Sequence, residues 1–269
     1  MRLFIPTCNK YLWLIKPFSY LFNKFWDDTI QVTYLGYKKP NFDMPNNFKF
    51  HSFGTDDDLK YWSSDLRSYF NSIDDEFIYL TGDDNLLVDY VRLDLIDKMK
   101  RYIQTTNKKI GRVGLSRDLI TRQHSYFDTF EDMEIVQQDM EATHHISTAW
   151  SMWRRDYLLK FLQNKITPWE FEDLGTIECK KDDYAVISTA GNKPLSPPDN
   201  AMVHNTNALW RNWYKDFKRI NLNNVSYVSN TVNLDTEVLK DMIKQELFPT
   251  DVEFGSIFNR SWFPINLED

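Results

Sequence analysis

Residues Phe77 to Leu87 read FIYLTGDDNLL: an apolar, strand-like run stops at Gly82-Asp83-Asp84-Asn85 and turns apolar again at once. Two adjacent carboxylates repel each other and add no packing energy, so at the end of a buried strand they demand a compensating charge. Asp83, Asp84 and Asn85 offer only hard oxygen donors, the set that suits Mg2+ or Mn2+ better than zinc. A cation held by one or two carboxylates commonly bridges substrate phosphates. Gly, Asp and Asn are also turn formers, so the same residues read equally as a plain turn with an Asp helix cap.

Upstream of this stretch, Arg2 to Ile5 is a short apolar run closed by Pro6-Thr7, as expected of a buried first strand leading to a loop and a helix. Ile30 to Tyr37 and Phe48 to Phe53 are β-rich and bounded by Asn, Pro and Gly, which makes them strands two and three. Thr55-Asp56-Asp57-Asp58 precedes Leu59, Trp62, Leu66, Phe70 and Ile73, whose spacing of three and four residues forms one face of an acid-capped helix. Phe77 to Leu80 is the fourth strand, and Asp89 is expected to open a helix with the stripe Leu95, Ile96, Met99 and Ile103. Strands alternating with helices predict an α/β fold: a mainly parallel sheet covered on both faces, with ligands bound beyond the carboxyl ends of its strands. The Asp pair sits at such an end.

Downstream, Ile110 to Leu115 and His145 to Trp153 are strand candidates, and Arg154 to Gln163 is a short helix ending before Pro168. Lys193 to Asn200, with three prolines, reads as an exposed loop, and Asp235 as the cap of a last helix through Val238, Leu239, Met242 and Ile243. No repeat or domain break interrupts the chain, which is read as one domain over 1–269.

A second acidic segment is Thr167 to Gly175, TPWEFEDLG, where Glu170, Glu172 and Asp173 sit among Trp169 and Phe171. Carboxylates held against aromatic rings lose hydration, which raises their pKa toward the range useful to a general base. The alternative is a helix start with Pro in its first turn and acids favourable to its dipole. His144-His145 would point to opposite faces if extended, and reads as structural. His204, after the proline-rich stretch, is a further candidate ligand, although most histidines serve the core or the surface.

Composition sets limits. The 269 residues are 42% hydrophobic and 16% aromatic with 8 Gly, which excludes a disordered or collagen-like chain. A net charge of −7 gives no global positive field for nucleic acid or anionic lipid, although Lys98 to Arg122 is locally basic. Cys8 and Cys179 lie far apart without CxxC spacing, which points to free thiols and an intracellular, cytoplasmic setting. The first 26 residues are hydrophobic, but Thr7, Asn9, Lys10, Lys16 and Pro17 break them up too much for a membrane span. Leu12 to Trp26 therefore reads as an aromatic helix facing a core, with a peripheral membrane contact as the alternative. There is no Walker lysine loop, no G-x-S-x-G elbow and no kinase motif set, and GRVG at Gly111 to Gly114 is not a dinucleotide fingerprint.

The succession of segments nevertheless resembles a known family. An N-terminal strand precedes the NKY turn (Asn9 to Tyr11) and a long aromatic helix. A strand then ends near SFG (Ser52 to Gly54) before a helix containing Trp62-Ser63, and another runs into GDDN. TAWSMWRRDYL (Thr148 to Leu158) and PWEFE (Pro168 to Glu172) follow. This order is similar to the GT-A type nucleotide-sugar glycosyltransferases, over the chain to about Asp173. The resemblance implies a Rossmann-like domain with a nucleotide-sugar-binding half over 1–115 and an acceptor half with the C-terminal helix over 116–269. It implies a Mn2+ or Mg2+ cofactor at a DxD-type motif, here Asp83 and Asp84, with Asn85 standing where many relatives carry another acid and His204 as a late ligand. It also implies that the loop Pro6, Thr7, Asn9, Lys10 and Tyr11, with Asp83, meets the nucleotide. In inverting members a carboxylate in an xED-like segment acts as base, matched here by Glu172 and Asp173, or by Glu170 if WEF aligns instead. The implied partners are a nucleotide-sugar donor and a hydroxyl acceptor, glycan or lipid-linked, with nucleic acid disfavoured by the net charge. Sugar-phosphate nucleotidyl transfer and a non-catalytic carbohydrate-binding role are the alternatives, although PTCNKY lacks the glycine-rich loop that nucleotidyl transfer usually shows after the first strand.

Overall fold

The computed structural model describes residues 1–56, 58–87, 90–115, 124–190 and 236–247. The chain begins β1 (Leu3–Pro6), a 3-10 turn (Asn9–Leu14), α1 (Ile15–Phe25), β2 (Val32–Gly36), β3 (Phe48–Ser52), α2 (Trp62–Asn71), β4 (Phe77–Leu80) and α3 (Leu93–Thr105). It continues β5 (Ile110–Gly114), β6 (His124–Phe130), β7 (Met133–Gln138), β8 (Ser151–Arg154), α4 (Arg155–Phe161), α5 (Pro168–Cys179), β9 (Ala185–Ala190) and α6 (Thr236–Lys244).

One nine-stranded sheet in the order β3-β2-β1-β4-β8-β5-β9-β7-β6 runs through the molecule. The first four strands pair in parallel, β1 with β2 and β4 across helical connections and β2 with β3 across the helix-free stretch 37–47. Successive side chains of a strand point to opposite faces, and each face is covered. Leu3, Ile5, Val32, Tyr34, Tyr79 and Met152 pack with α1, α3 and α6, among them Phe18, Phe22, Ile96, Met99, Val238 and Met242. Phe4, Leu35, Ile78, Leu80 and Trp153 pack on the other face with Trp62, Leu66 and Phe70 of α2, Leu158 and Phe161 of α4, and Phe171 of α5. The fold is therefore an α/β sheet between two helical layers. The aromatic stripe of α1 serves that core, with Phe18, Leu21, Phe22 and Phe25 buried, rather than a membrane surface. Among the described residues no helix is long and apolar enough to cross a membrane.

Several expectations need correction. β8 starts at Ser151, not at His145, and residues 145–150 are its lead-in loop. It is antiparallel to both β4 and β5, so Ser151 lies opposite Leu80 and that loop arrives at the carboxyl end of β4. α3 begins at Leu93 with Arg92 at its N-cap, so Asp89 does not open it. Asp58 caps a 3-10 turn, Leu59–Tyr61, through the amide of Lys60, and α2 follows at Trp62. The hairpin β6–β7 and strand β9 extend the sheet beyond anything the sequence reading expected. His204, Asp235 and the stretch Lys193 to Asn200 lie outside the described residues.

Candidate functional site

β1 and β4 are parallel neighbours, so the loops after Pro6 and Leu80 leave the sheet side by side. Gly36, at the end of β2, lets the first loop sit close: a Cβ there would stand 2.8 Å from Thr7 Cγ2 and 2.9 Å from Phe50 Cζ. Held in that place, with its amide on Leu35 O, Thr7 donates its hydroxyl to Asp83 Oδ2 at 2.7 Å. Asp83 is 8% exposed and Asn85 5%. Burial first, and the charge of Asp84 second, raise the Asp83 carboxyl from the ordinary 3.8 to about 8, against the lowering effect of Thr7 and of Lys10. Asp83 is thus a buried acid with a like-charged neighbour, hydrogen-bonded by a neutral hydroxyl.

The remaining residues of the first loop divide their work. Pro6 closes β1 opposite Leu35. Asn9 uses both ends of its amide to fasten the loop, donating to Thr55 O at 3.2 Å and accepting from Lys38 N at 2.8 Å. Lys10 is exposed, with its ammonium 4.6 Å from the ring centre of Tyr11.

The lead-in loop of β8 ties the GDDN turn to α5. Gly82 N donates to Thr148 O at 2.9 Å, and Trp150 Nε1 donates to Asn85 O at 3.0 Å, so the loop grips both ends of the turn. Thr148 N and Oγ1 both donate to Glu172 Oε1, at 2.7 and 2.9 Å. One helical turn on, Thr176 Oγ1 accepts from Ile146 N at 3.3 Å. Gly175 makes this approach possible, because a Cβ there would meet Ile146 Cγ2 at 2.8 Å. The two acidic segments singled out in the sequence are therefore joined through one residue, Thr148.

The acids of α5 are not equivalent. Glu170 belongs to a capping box: Thr167 accepts from the amide of Glu170, and Glu170 Oε2 accepts from Thr167 N at 2.8 Å. The Glu170 carboxyl is lowered, first by the Thr167 backbone hydrogen bond, which overturns the expectation of a desolvated, raised group there. Glu172 is half-buried, and its Oε2 accepts no hydrogen bond among the described residues. Asp173 is exposed and makes no hydrogen bond among the described residues.

The basic segment behaves differently from its appearance in sequence. Its side chains are matched: Lys98 with Asp132, Lys100 with Asp97 at 3.1 Å, Arg101 with Glu131 at 2.7 Å, Lys108 with Asp128 at 2.9 Å and Lys109 with Asp183 at 2.6 Å. Arg112 is buried on Ser151 Oγ and His145 O. Arg154 meets Asp156 at 2.9 Å and Arg155 donates to Ile73 O. The described part of this segment is a docking face for the β6–β7 hairpin, not an open anion site. His145, buried with Nε2 at 2.7 Å from Asp139 O, is structural as expected.

Among the described residues no group of three His, Cys, Asp or Glu side chains could hold a metal ion. Asp83, Asp84 and Asn85 still fit a hard divalent cation, which takes few carboxylates and completes its shell with water or phosphate oxygens.

No protein-family model matches the chain, and no curated protein sequence does. Among solved structures, S. aureus TarS 1-349 is similar at 13% identity and a TM-score of 0.46, over 92% of this chain and 70% of that one. The bifunctional IspDF from Campylobacter jejuni is similar at 12% identity and a TM-score of 0.34, over 82% of this chain. The chain spans about half the length of that protein, 54%. Residues and geometry, rather than these distant likenesses, carry the functional reading.

Proposed function

We propose that this chain is a GT-A type glycosyltransferase that moves a sugar from a nucleoside-diphosphate donor to an acceptor hydroxyl. The observation that supports it most is the run of hydrogen bonds from Gly82 through Thr148 to Glu172, which holds an acidic turn suited to a phosphate-bound cation against a helix bearing further acids. Asp83 and Asp84, with Asn85 beside them, would hold Mn2+ or Mg2+, which when bound would offset charge on the departing diphosphate.

The chain's own groups do the rest. Thr7 fixes Asp83, and Lys10, on the same loop, would meet the phosphates. A base must have an open oxygen that an incoming acceptor can reach. Glu170 is engaged by its helix cap and Glu172 by Thr148, whereas Asp173 is exposed and uncommitted. Asp173 is therefore assigned the acceptor proton, on the face of the sugar opposite the leaving group, and the outcome is inversion. Glu172 anchors the N-terminal half of α5 to the loop before β8. The paired state of Lys98, Arg101 and Lys108 removes the argument for an anionic acceptor bound there, which leaves a glycan or lipid-linked hydroxyl.

The test is a panel of UDP-glucose, UDP-N-acetylglucosamine and GDP-mannose with Mn2+ or EDTA, scored for released nucleoside diphosphate. Metal-dependent release, abolished in Asp173→Asn with donor affinity kept, is expected. Pyrophosphate formed from a nucleoside triphosphate and a sugar phosphate would instead identify a nucleotidyltransferase. Absence of nucleotide binding by titration calorimetry would identify a non-catalytic protein.

A further inference from the structure

Thr148 is neither acidic nor adjacent in sequence to an acid, yet its polar groups are divided between the two segments that carry the chemistry. Its carbonyl oxygen accepts from Gly82, and its amide and hydroxyl converge on a single oxygen of Glu172. Two donors on one carboxylate oxygen fix the orientation of that side chain. The rung between Ile146 and Thr176, and the close packing of Gly175 on Ile146, keep α5 from sliding along the loop. At the other end Trp150 secures Asn85, so the GDDN turn cannot shift independently. The separation between the acidic turn and the start of α5 is thus set through Thr148.

We propose that Thr148 is a positioning residue, one that holds the cation-bearing turn and the base-bearing turn of α5 in register for transfer. This inference rests on the glycosyltransferase reading above. Misplacing reacting groups by about 1 Å can cost on the order of a hundredfold in rate, so loss of one such contact should appear in turnover rather than in donor binding.

Thr148→Val keeps the shape and both backbone bonds and removes only the hydroxyl donor. With the panel donor that wild type uses best, kcat is expected to fall about tenfold, as for a hydrogen bond to a charged group. Donor KM should stay within about twofold, since binding itself does not use this contact. Thr148→Ser, which retains the hydroxyl, should restore turnover. Because Thr148→Val and Glu172→Ala break the same contact, the double variant should be no slower than the slower single one. Unchanged kcat in Thr148→Val with an active wild type would overturn this inference and leave the transferase reading intact. A loss that Ser does not rescue, or fully multiplicative effects in the double variant, would overturn it as well. Should wild type release nucleoside diphosphate from no donor, the transferase reading itself fails and this inference falls with it.

Discussion

The GDDN turn and the Lys98 to Lys109 segment are both dense in like charge, and the fold treats them in opposite ways. Around α3 each described lysine or arginine of the 98–109 run has an acid of opposite sign, most of them supplied by β6–β7, with Arg101, Lys108 and Lys109 exposed and Lys98 and Lys100 half-buried. At the GDDN turn an acid is buried beside another acid, with a threonine hydroxyl as its close partner. Surface pairs in water are worth little, and screening reduces them further, whereas a buried carboxylate next to a second one carries a real cost. The fold pairs the charges of the one cluster at the surface and buries an acid in the other.

The sharpest way to break this contrast is to remove a charge on each side. Asp84→Ala is expected to lower transfer at least about a hundredfold, the scale of losing a transition-state charge contact, with the melting temperature nearly unchanged. Lys98→Ala with Arg101→Ala should leave transfer within about twofold and stability within about 1 kcal/mol. Steady-state kinetics and thermal melts read both.

Packing comes next. Gly175→Ala forces a methyl group against Ile146 and should destabilise by about 1–3 kcal/mol, with a loss of turnover as α5 is pushed away from Thr148. A melt as stable as wild type would show that the loop gives way freely and that the close approach is not needed.

The pH dependence sharpens the comparison from the acidic side. The folded state keeps the Asp83 proton up to about pH 8, while the unfolded chain loses it near the ordinary 3.8. Between those values the folded state binds more protons, so without metal the contribution of Asp83 to stability is fully present below about pH 4 and declines as pH rises toward 8. Asp83→Asn should flatten that decline and stabilise the EDTA-treated protein at pH 8, by an amount on the order of 1–3 kcal/mol. Mn2+ should raise the melting temperature of wild type at pH 8 and leave that variant unmoved. Melts across pH 4–9 with Mn2+ or EDTA settle the sign.

The smallest effect is expected at Glu170. Glu170→Gln keeps a capping acceptor and should leave kcat and KM within about twofold, in contrast to Asp173→Asn. Equal losses in both would return Glu170 to the candidates for the base.

The parts that sequence made legible are those set by neighbours a few residues apart. The stripes of α2 and α3, the end of β4 ahead of Gly82, the pairing-competent runs of β1 to β4 and the helix start at Pro168 all follow from periodicity and local hydrogen bonding. The β6–β7 hairpin was not legible, because its turn carries no glycine: Glu131 takes the left-handed conformation instead, with φ of 54°. The acids were legible as candidates, and their separate roles were not, since TPWEFEDLG contains nothing to distinguish a carboxylate that caps its own helix from one held by a loop more than twenty residues earlier.

By itself, then, the sequence determined an α/β chain with an acidic turn beyond its fourth strand and a second acidic helix start. Only the tertiary structure decided that the two meet. Side-chain alternation is the same in parallel and antiparallel strands, so no local pattern could say that β8 runs against β4. That orientation brings Thr148 and Trp150 to the carboxyl end of β4, and with them the hydrogen bonds that link the two acidic segments.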